Sequence, residues 1–337
     1  MILNEKMIGL ADEYESYIID CRRKIHTFAE VAAHEEKTKN FILDEARKLG
    51  LPFDVVPSTS VIVKLDTGRP GMHVALRADI DALPMKESPT NLTGSRTCVS
   101  EQEDTCHACG HDAHAAMLLG AMQILSRLRD ELNGVILFCF EEGEELNSGV
   151  NALLAALENY QVDRVWGIHV YAALEEGKIS VDPGPRMAGS CVPVIKLIGK
   201  GGTFRFFNMA EGRKVHALFR QVAEHTAAMH NCEVVFPPIF DVFAAPVVND
   251  AACSAVAQQV LREVLPTDTV VSCDPWYAGE SFRLWLERYP GVLAFLGINN
   301  KEQGYGAEHH NEKFDLSETV LRTGVISTVR YAVEWLQ

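Results

Sequence analysis

The chain has no apolar run approaching the roughly 20 residues that span a bilayer, and Lys6 is the only basic side chain among its first 20 residues. A secretory leader needs a basic start and a continuous apolar stretch, so the expectation is a cytoplasmic protein. Basic charge is scarce throughout. Lys and Arg number 31 against 46 Asp and Glu, a formal net charge of −15. Nucleic acid and anionic membrane both require a basic surface and drop out as partners. A small anionic substrate stays open, because a local Arg or metal overrides the mean field. The nine cysteines are odd in number and scattered, which gives no disulfide framework. Most read as small buried hydrophobes. No internal repeat or low-complexity tract interrupts the 337 residues, and 47% hydrophobic with 23% charged content fits an ordinary globular protein of about two domains.

Periodicity predicts helices over 5–30 and 35–49, the second closed by Gly50. Short β-rich runs follow at 60–65 and 73–77, and a long helix at 112–128. The continuous apolar runs Val135 to Phe140 and Val165 to Val170 read as strands buried in a central parallel sheet, with a helix over 149–157 between them. This alternation argues for a layered α/β domain. Residues 192–198 and 203–207 read as strands around Gly199-Lys200-Gly201-Gly202. They are followed by an amphipathic helix over 211–229, with Val215, Leu218, Phe219, Val222 and Ala223 facing inward, and a strand over Val234 to Phe236. This β-rich, one-helix block looks inserted. The α/β pattern resumes with a helix at 252–264, strands at 270–273 and 292–296, and a closing helix at 316–336.

Two cysteines, three histidines and an acid crowd the nine residues Cys106-His107-Ala108-Cys109-Gly110-His111-Asp112-Ala113-His114. Buried polar groups need partners, so this density is hard to justify as core, whereas thiolate and imidazole suit zinc and related metals. A zinc ribbon would need a second Cys-x-x-Cys, and there is none. A redox pair would leave the histidines without a role. Glu141-Glu142-Gly143-Glu144-Glu145 follows an apolar strand directly, where α/β proteins place ligands. A solvated acidic loop is the plainer reading of a lone charge run. Metal-assisted hydrolysis, however, needs one carboxylate on the metal and another free to take a proton, and two adjacent glutamates can divide these tasks. His169 and His310 would each read as structural alone, but with these elements they complete a set of N, S and O donors.

Taken in order, His26-Thr27-Phe28-Ala29-Glu30, Leu76 to Pro84, His107 to His114, Glu144-Glu145, Gly167-Ile168-His169, Gly184 to Ala188, and His310 with Phe314 resemble the M20-type metallopeptidases. The likeness is to the amidohydrolase branch, which contains hippurate hydrolases, N-acyl-amino-acid amidohydrolases and auxin-conjugate hydrolases. It covers nearly the whole chain. The resemblance implies a layered α/β zinc-peptidase-like catalytic domain (1–190 and 246–337) with an inserted α+β lid (191–245). It also implies two divalent ions, with Zn, Mn, Ni or Co all compatible, bound by Cys109, His111, Glu145, His169 and His310. Glu144 is then the general base, and Asp81 orients a metal ligand. The implied activity is hydrolysis of an N-acyl amino acid or related small amide, with a dipeptidase or a non-catalytic metal-binding relative as alternatives, and a homodimer formed through the lid.

Three departures from the family pattern stand out. Gly199-Lys200-Gly201-Gly202 runs straight into Thr203-Phe204-Arg205, which resembles the later part of the lid, so the lid reads as shortened by several dozen residues. The usual Gln-Pro-Ala before the glutamate pair is Glu141-Glu142-Gly143, which predicts a more acidic mouth. The usual Glu-Asp-Phe is Glu280-Ser281-Phe282. For the substrate, Arg205 and Asn249 are candidates to grip a carboxylate or amide, with Met187 as pocket wall. His26 and His34 read as structural.

Overall fold

The buried apolar runs form the middle of a seven-stranded sheet. The computed structural model describes residues 2–191, 204–236 and 238–337. Three helices open the chain, α1 (Ile2–Glu13), α2 (Glu15–Phe28) and α3 (Glu36–Lys48), followed by β1 (Phe53–Val55), β2 (Val61–Asp66) and β3 (His73–Asp79). Next come α4 (His111–Arg127), β4 (Val135–Glu141), α5 (Val150–Leu157), β5 (Arg164–Glu175), β6 (Ile179–Ser180), β7 (Gly184–Met187) and β8 (Gly189–Cys191). Then follow β9 (Phe204–Phe206), α6 (Met209–Met229), β10 (Phe243–Ala244), β11 (Val247–Asn249), α7 (Ala251–Val264), α8 (Arg283–Leu286), β12 (Gly291–Asn299) and α9 (Val320–Trp335).

The large sheet runs β1-β2-β4-β3-β5-β12-β6. Its central strands β4, β3, β5 and β12 are parallel, and β1, β2 and β6 add antiparallel edges. Both faces are buried, so the strands alternate between two apolar clusters. Ile136, Phe138 and Phe140 join α1, α2, α4 and α9 on one face. Val135, Leu137 and Cys139 join α5 and the Phe282–Trp285 turn on the other. Such strands are continuous apolar runs for this reason. Helix α4 is buried from His111 to Leu125, consistent with a sequence apolar on all sides.

Several boundaries differ from expectation. The first predicted helix is two, broken at Tyr14, and α2 ends where Ala29 takes φ +36°. The closing helix starts at Val320 rather than 316. Val270 makes only an isolated bridge to Ile179, and Val234 to Phe236 is not a strand. The strand predicted at 192–198 and the glycine-rich stretch 199–202 lie outside the described residues. Helix α6 starts where Asn208 accepts hydrogen bonds from the Ala210 and Glu211 amides, an N-cap. Its face is turned from expectation. Gly212 and His216 are buried, whereas Val215, Leu218 and Val222 are 47%, 59% and 55% exposed. Among the described residues the sheet beneath it, β10-β8-β9, has strands of only two or three residues, which is too narrow to cover the predicted stripe.

Gly120 lets α4 pack closely. A methyl there would stand 2.6 Å from Ile18 Cγ1 and 3.2 Å from Val325 Cγ2. Gly→Ala in a helix normally stabilises by about 1 kcal/mol, but overpacking a core costs about 1–3 kcal/mol. Gly120→Ala is therefore expected to lower the midpoint of thermal unfolding, measured by calorimetry, where helix propensity alone would raise it.

Candidate metal centre

The centre is built at the carboxyl ends of the parallel strands. Gly110 holds φ +87°, and a Cβ there would lie 2.4 Å from Val170 Cγ2. Glycine at this turn lets Cys109 and His111 approach β5 from the start of α4. Cys109, His111 and His169 offer donor atoms within 4.8 Å of one another, and so do Cys109, Glu145 and His310. Cys109 thus belongs to both groups, its Sγ 3.7 Å from His169 Nε2. Glu145 Oε1 lies 3.9 Å from His111 Nε2 and 3.2 Å from His310 Nε2. His310 takes φ +59° and is half exposed at the mouth.

The hydrogen bonds around the histidines show which nitrogen is free. His111 Nδ1 meets Asp81 Oδ1 at 3.1 Å, and His169 Nδ1 donates to the Val170 carbonyl at 2.6 Å. Each ring therefore carries a proton on Nδ1 and turns its Nε2 inward. Among the described residues, buried His111 Nε2 has no hydrogen-bond partner, and buried Glu145 Oε1 has only His310 Nε2 near it, as suits atoms aimed at a cation. A third donor group, Asp79, His111 and His114, does not fit an ion in the same way. His114 donates from Nδ1 to Asp79 and accepts the Val170 N–H at Nε2, so both its nitrogens are engaged.

Asp81 ties the parts together. Its Oδ1 also accepts the Glu144 N–H and its Oδ2 the Glu145 N–H, each at 3.1 Å. The two glutamates differ in their partners: Glu144 Oε1 accepts the Ser281 N–H at 2.8 Å, while its carboxylate still offers a donor atom within 4.8 Å of Glu145 and His111. Burial pushes the Glu144 carboxyl well above the usual carboxylate range, and the Glu280 charge adds to it. Glu145 is held below that range although burial opposes this, because His310 and His111 face it. Burial, with His114 adjacent, lowers His169 to about 4, so its imidazole is neutral. Burial alone would lower His111 too, but Asp79 and Cys109 raise it well above the imidazole range. Burial likewise drives the Cys109 thiol up. A cavity of this charge favours a cation, and a coordinated thiol loses its proton.

Glu141 and Glu142 do not acidify the mouth, contrary to expectation; both are buried. Glu142 turns back to the Thr59 amide and hydroxyl and the Ser60 amide. Glu141 pairs with Arg77 at 2.9 Å, accepts the Trp285 indole N–H at 2.7 Å and accepts the Ser281 hydroxyl. Arg77 also meets Asp79 at 2.7 Å and Glu280 at 3.0 Å. The two sequence departures thus touch: Ser281 and Glu141 bond to each other and both accept from Arg77.

A cavity of about 540 Å³ opens over the centre, lined by Glu144, Glu145, His169 and His310 and also by Met187 and Arg205, both expected there. Asn249 corrects its expectation. Its Nδ2 donates to the Asp182 and Leu293 carbonyls and its Oδ1 accepts the Leu293 N–H. The side chain therefore fastens β11 to β12 and lies outside the cavity lining. His26 is structural as read, buried between Asp112 and Glu87. Trp276, Arg283 and His309 line the cavity without having been singled out, and so does Glu280, which the sequence marked only as part of a departure from the family pattern. His309 stood beside a chosen residue in the sequence, and Trp276 and Arg283 carried no local signal at all.

A model described as peptidase family M20/M25/M40 matches residues 75–333. The chain is 28% identical over 401 aligned positions to thermostable carboxypeptidase 1 of Saccharolobus solfataricus, covering 99% of each. It is 40% identical over 200 residues to an N-acyl-L-amino acid amidohydrolase of Geobacillus stearothermophilus, covering 59% of this chain and 53% of that one. A dinuclear metal-binding M20 peptidase of Bacillus subtilis superposes with a TM-score of 0.82 at 26% identity, over 96% of this chain and 98% of that one.

Two outcomes follow from this geometry. Asp81→Ala is expected to weaken metal binding about 10- to 100-fold, measured by chelator competition. Glu141→Gln leaves Asp79 and Glu280 on Arg77 but weakens the acceptor of Arg77, Trp285 and Ser281, and should cost about 1–3 kcal/mol. Adding Ser281→Asp should recover most of that loss in denaturant unfolding, whereas additive costs would show that the two positions are not coupled.

Proposed function

The chain belongs to peptidase family M20/M25/M40, and from that membership we propose that it hydrolyses the amide bond of N-acyl amino acids or related small amides. Two divalent ions, of Zn, Mn, Ni or Co, would be held by Cys109, His111, Glu145, His169 and His310. When bound they supply Lewis acidity toward the scissile carbonyl and lower the pKa of the attacking water. The observation that carries the reading is the unequal setting of two adjacent glutamates. Glu145 faces His111 and His310 and is held in its charged form, while Glu144, close to both Glu145 and His111, is bound by the Ser281 amide and lines the cavity with a raised proton affinity. Glu144 takes the proton of the attacking water and returns it to the leaving amine nitrogen. Asp81 keeps both glutamate backbones and His111 in register for this. Arg205, on the cavity wall, would pair with the substrate carboxylate, and Met187 would bound the pocket. A pure metal binder has no need of a second, free carboxylate, which favours an enzyme over a non-catalytic relative.

A peptidase specificity on the same scaffold is the second reading, favoured by the full-length match to a protein named a carboxypeptidase. Parallel assays on N-acyl amino acids and dipeptides separate the two. We assign residues 1–190 and 246–337 to the catalytic domain and 191–245 to a shortened lid. The lid assignment is supported by the separate β10-β8-β9 sheet and by an alignment with more positions than this chain has residues. The exposed apolar face of α6 favours a homodimer through the lid.

Glu144→Gln should reduce turnover roughly a thousandfold with metal content by elemental analysis unchanged; a fall in metal content would reverse the roles of Glu144 and Glu145. A base must be ionised to act, and this one is raised. The wild-type kcat/KM should therefore fall about tenfold per pH unit on its acid limb, and the residual rate of Glu144→Gln should lack that limb. About two ions per chain with chelator-sensitive turnover is the expected result. No binding after reconstitution would overturn the assignment.

A further inference from the structure

His309 lies half-buried against the centre, yet its geometry bars it from being a ligand. Its Nε2 faces the backbone N–H of Ala172 at 3.2 Å and accepts from it. A ring nitrogen that accepts cannot carry a proton, so the proton of the neutral imidazole sits on Nδ1. That Nδ1 lies 3.8 Å from Cys109 Sγ, within hydrogen-bonding reach of sulfur. The ring is clamped in this orientation, with its centroid 4.6 Å from that of Trp276, 4.9 Å from Phe314 and 5.4 Å from His169. The next residue, His310, takes a left-handed backbone and turns the opposite way, toward Glu145.

We propose that His309 is a positioning residue that donates an Nδ1–H···S hydrogen bond to the Cys109 thiolate and thereby sets the donor strength of the sulfur shared by both ligand groups. The inference rests on the reading of Cys109 as a metal ligand. A hydrogen bond to a coordinated thiolate stabilises its lone pairs, so the thiolate binds tightly without excess charge on the metal. Removing the donor leaves the sulfur more electron-rich and its orientation unsupported.

Two amide substitutions separate the two ends of the ring. Asn places its amide nitrogen where Nδ1 stands and retains the donor to Cys109. Gln reaches the Nε2 position and retains the acceptor for Ala172. The probe is Co(II) alone, added to metal-free protein. The readouts are the thiolate-to-cobalt charge-transfer band in the near ultraviolet and the Co(II) affinity by chelator competition. Wild type and His309→Asn are expected to share one band position and one affinity. His309→Gln and His309→Phe should shift the band to longer wavelength and lose about tenfold in affinity. A shifted Asn variant beside an unshifted Gln variant would show that the ring acts through Ala172 and overturn the proposal, as would an unmoved band in all three. Should the Phe variant not fold, the Asn and Gln pair decides alone. If wild type and Cys109→Ser give the same spectrum, with no charge-transfer band, the ligand reading itself fails and takes this inference with it. A band that is present but indifferent to residue 309 defeats only the inference.

Discussion

The carboxylate of Asp81 accepts from His111 Nδ1 and from the backbone amides of Glu144 and Glu145, joining the two halves of the centre through one side chain. His111 opens α4 and the glutamates follow β4, more than 30 residues apart in the chain. Hydrogen bonds to a charged acceptor are about twice as strong as neutral ones and more exacting in direction. They fix the tautomer of His111, the turn after β4 and the distance between donor atoms together. The rest of the site is arranged around this point: Gly110 admits the loop of Cys109 and His111, the Ser281 amide holds Glu144, and His169 reaches in from β5.

Beneath that point lies a second constraint, the guanidinium of Arg77. It is buried among Asp79, Glu141 and Glu280. A buried charge must be matched or it destabilises the fold, so the carboxylates around it form one set rather than independent positions. Read as sequence, Glu141 and Ser281 were two unrelated departures, one predicting an acidic mouth and the other a lost acid. In space they meet: the Ser281 hydroxyl donates to Glu141, and both lie against the Arg77 guanidinium. No linear pattern could show this, because the two residues are 140 positions apart.

The central sheet was legible because strands buried on both faces have to be apolar throughout, and the runs at 135–140 and 165–170 had no competing explanation. The donor residues were legible because cysteine, histidine and paired glutamates at strand ends have few structural uses. What failed was what depends on partners. An amphipathic helix normally turns its apolar stripe inward, but α6 has only a narrow sheet to cover it. Asn249 looked like a contact for a substrate, yet a buried amide with three backbone partners serves the β11–β12 junction. Trp276 and Arg283 reach the cavity only through the path of the chain after β11, which local propensity does not encode.

The donors that converge on the centre span residues 109 to 310, and only Cys109 and His111 of the five proposed ligands are close in the chain. The unfolded chain can offer that pair but not the full set, so an ion held by all five would favour the native state by mass action. Metal supply would then bear on how long the folded protein lasts as well as on its chemistry.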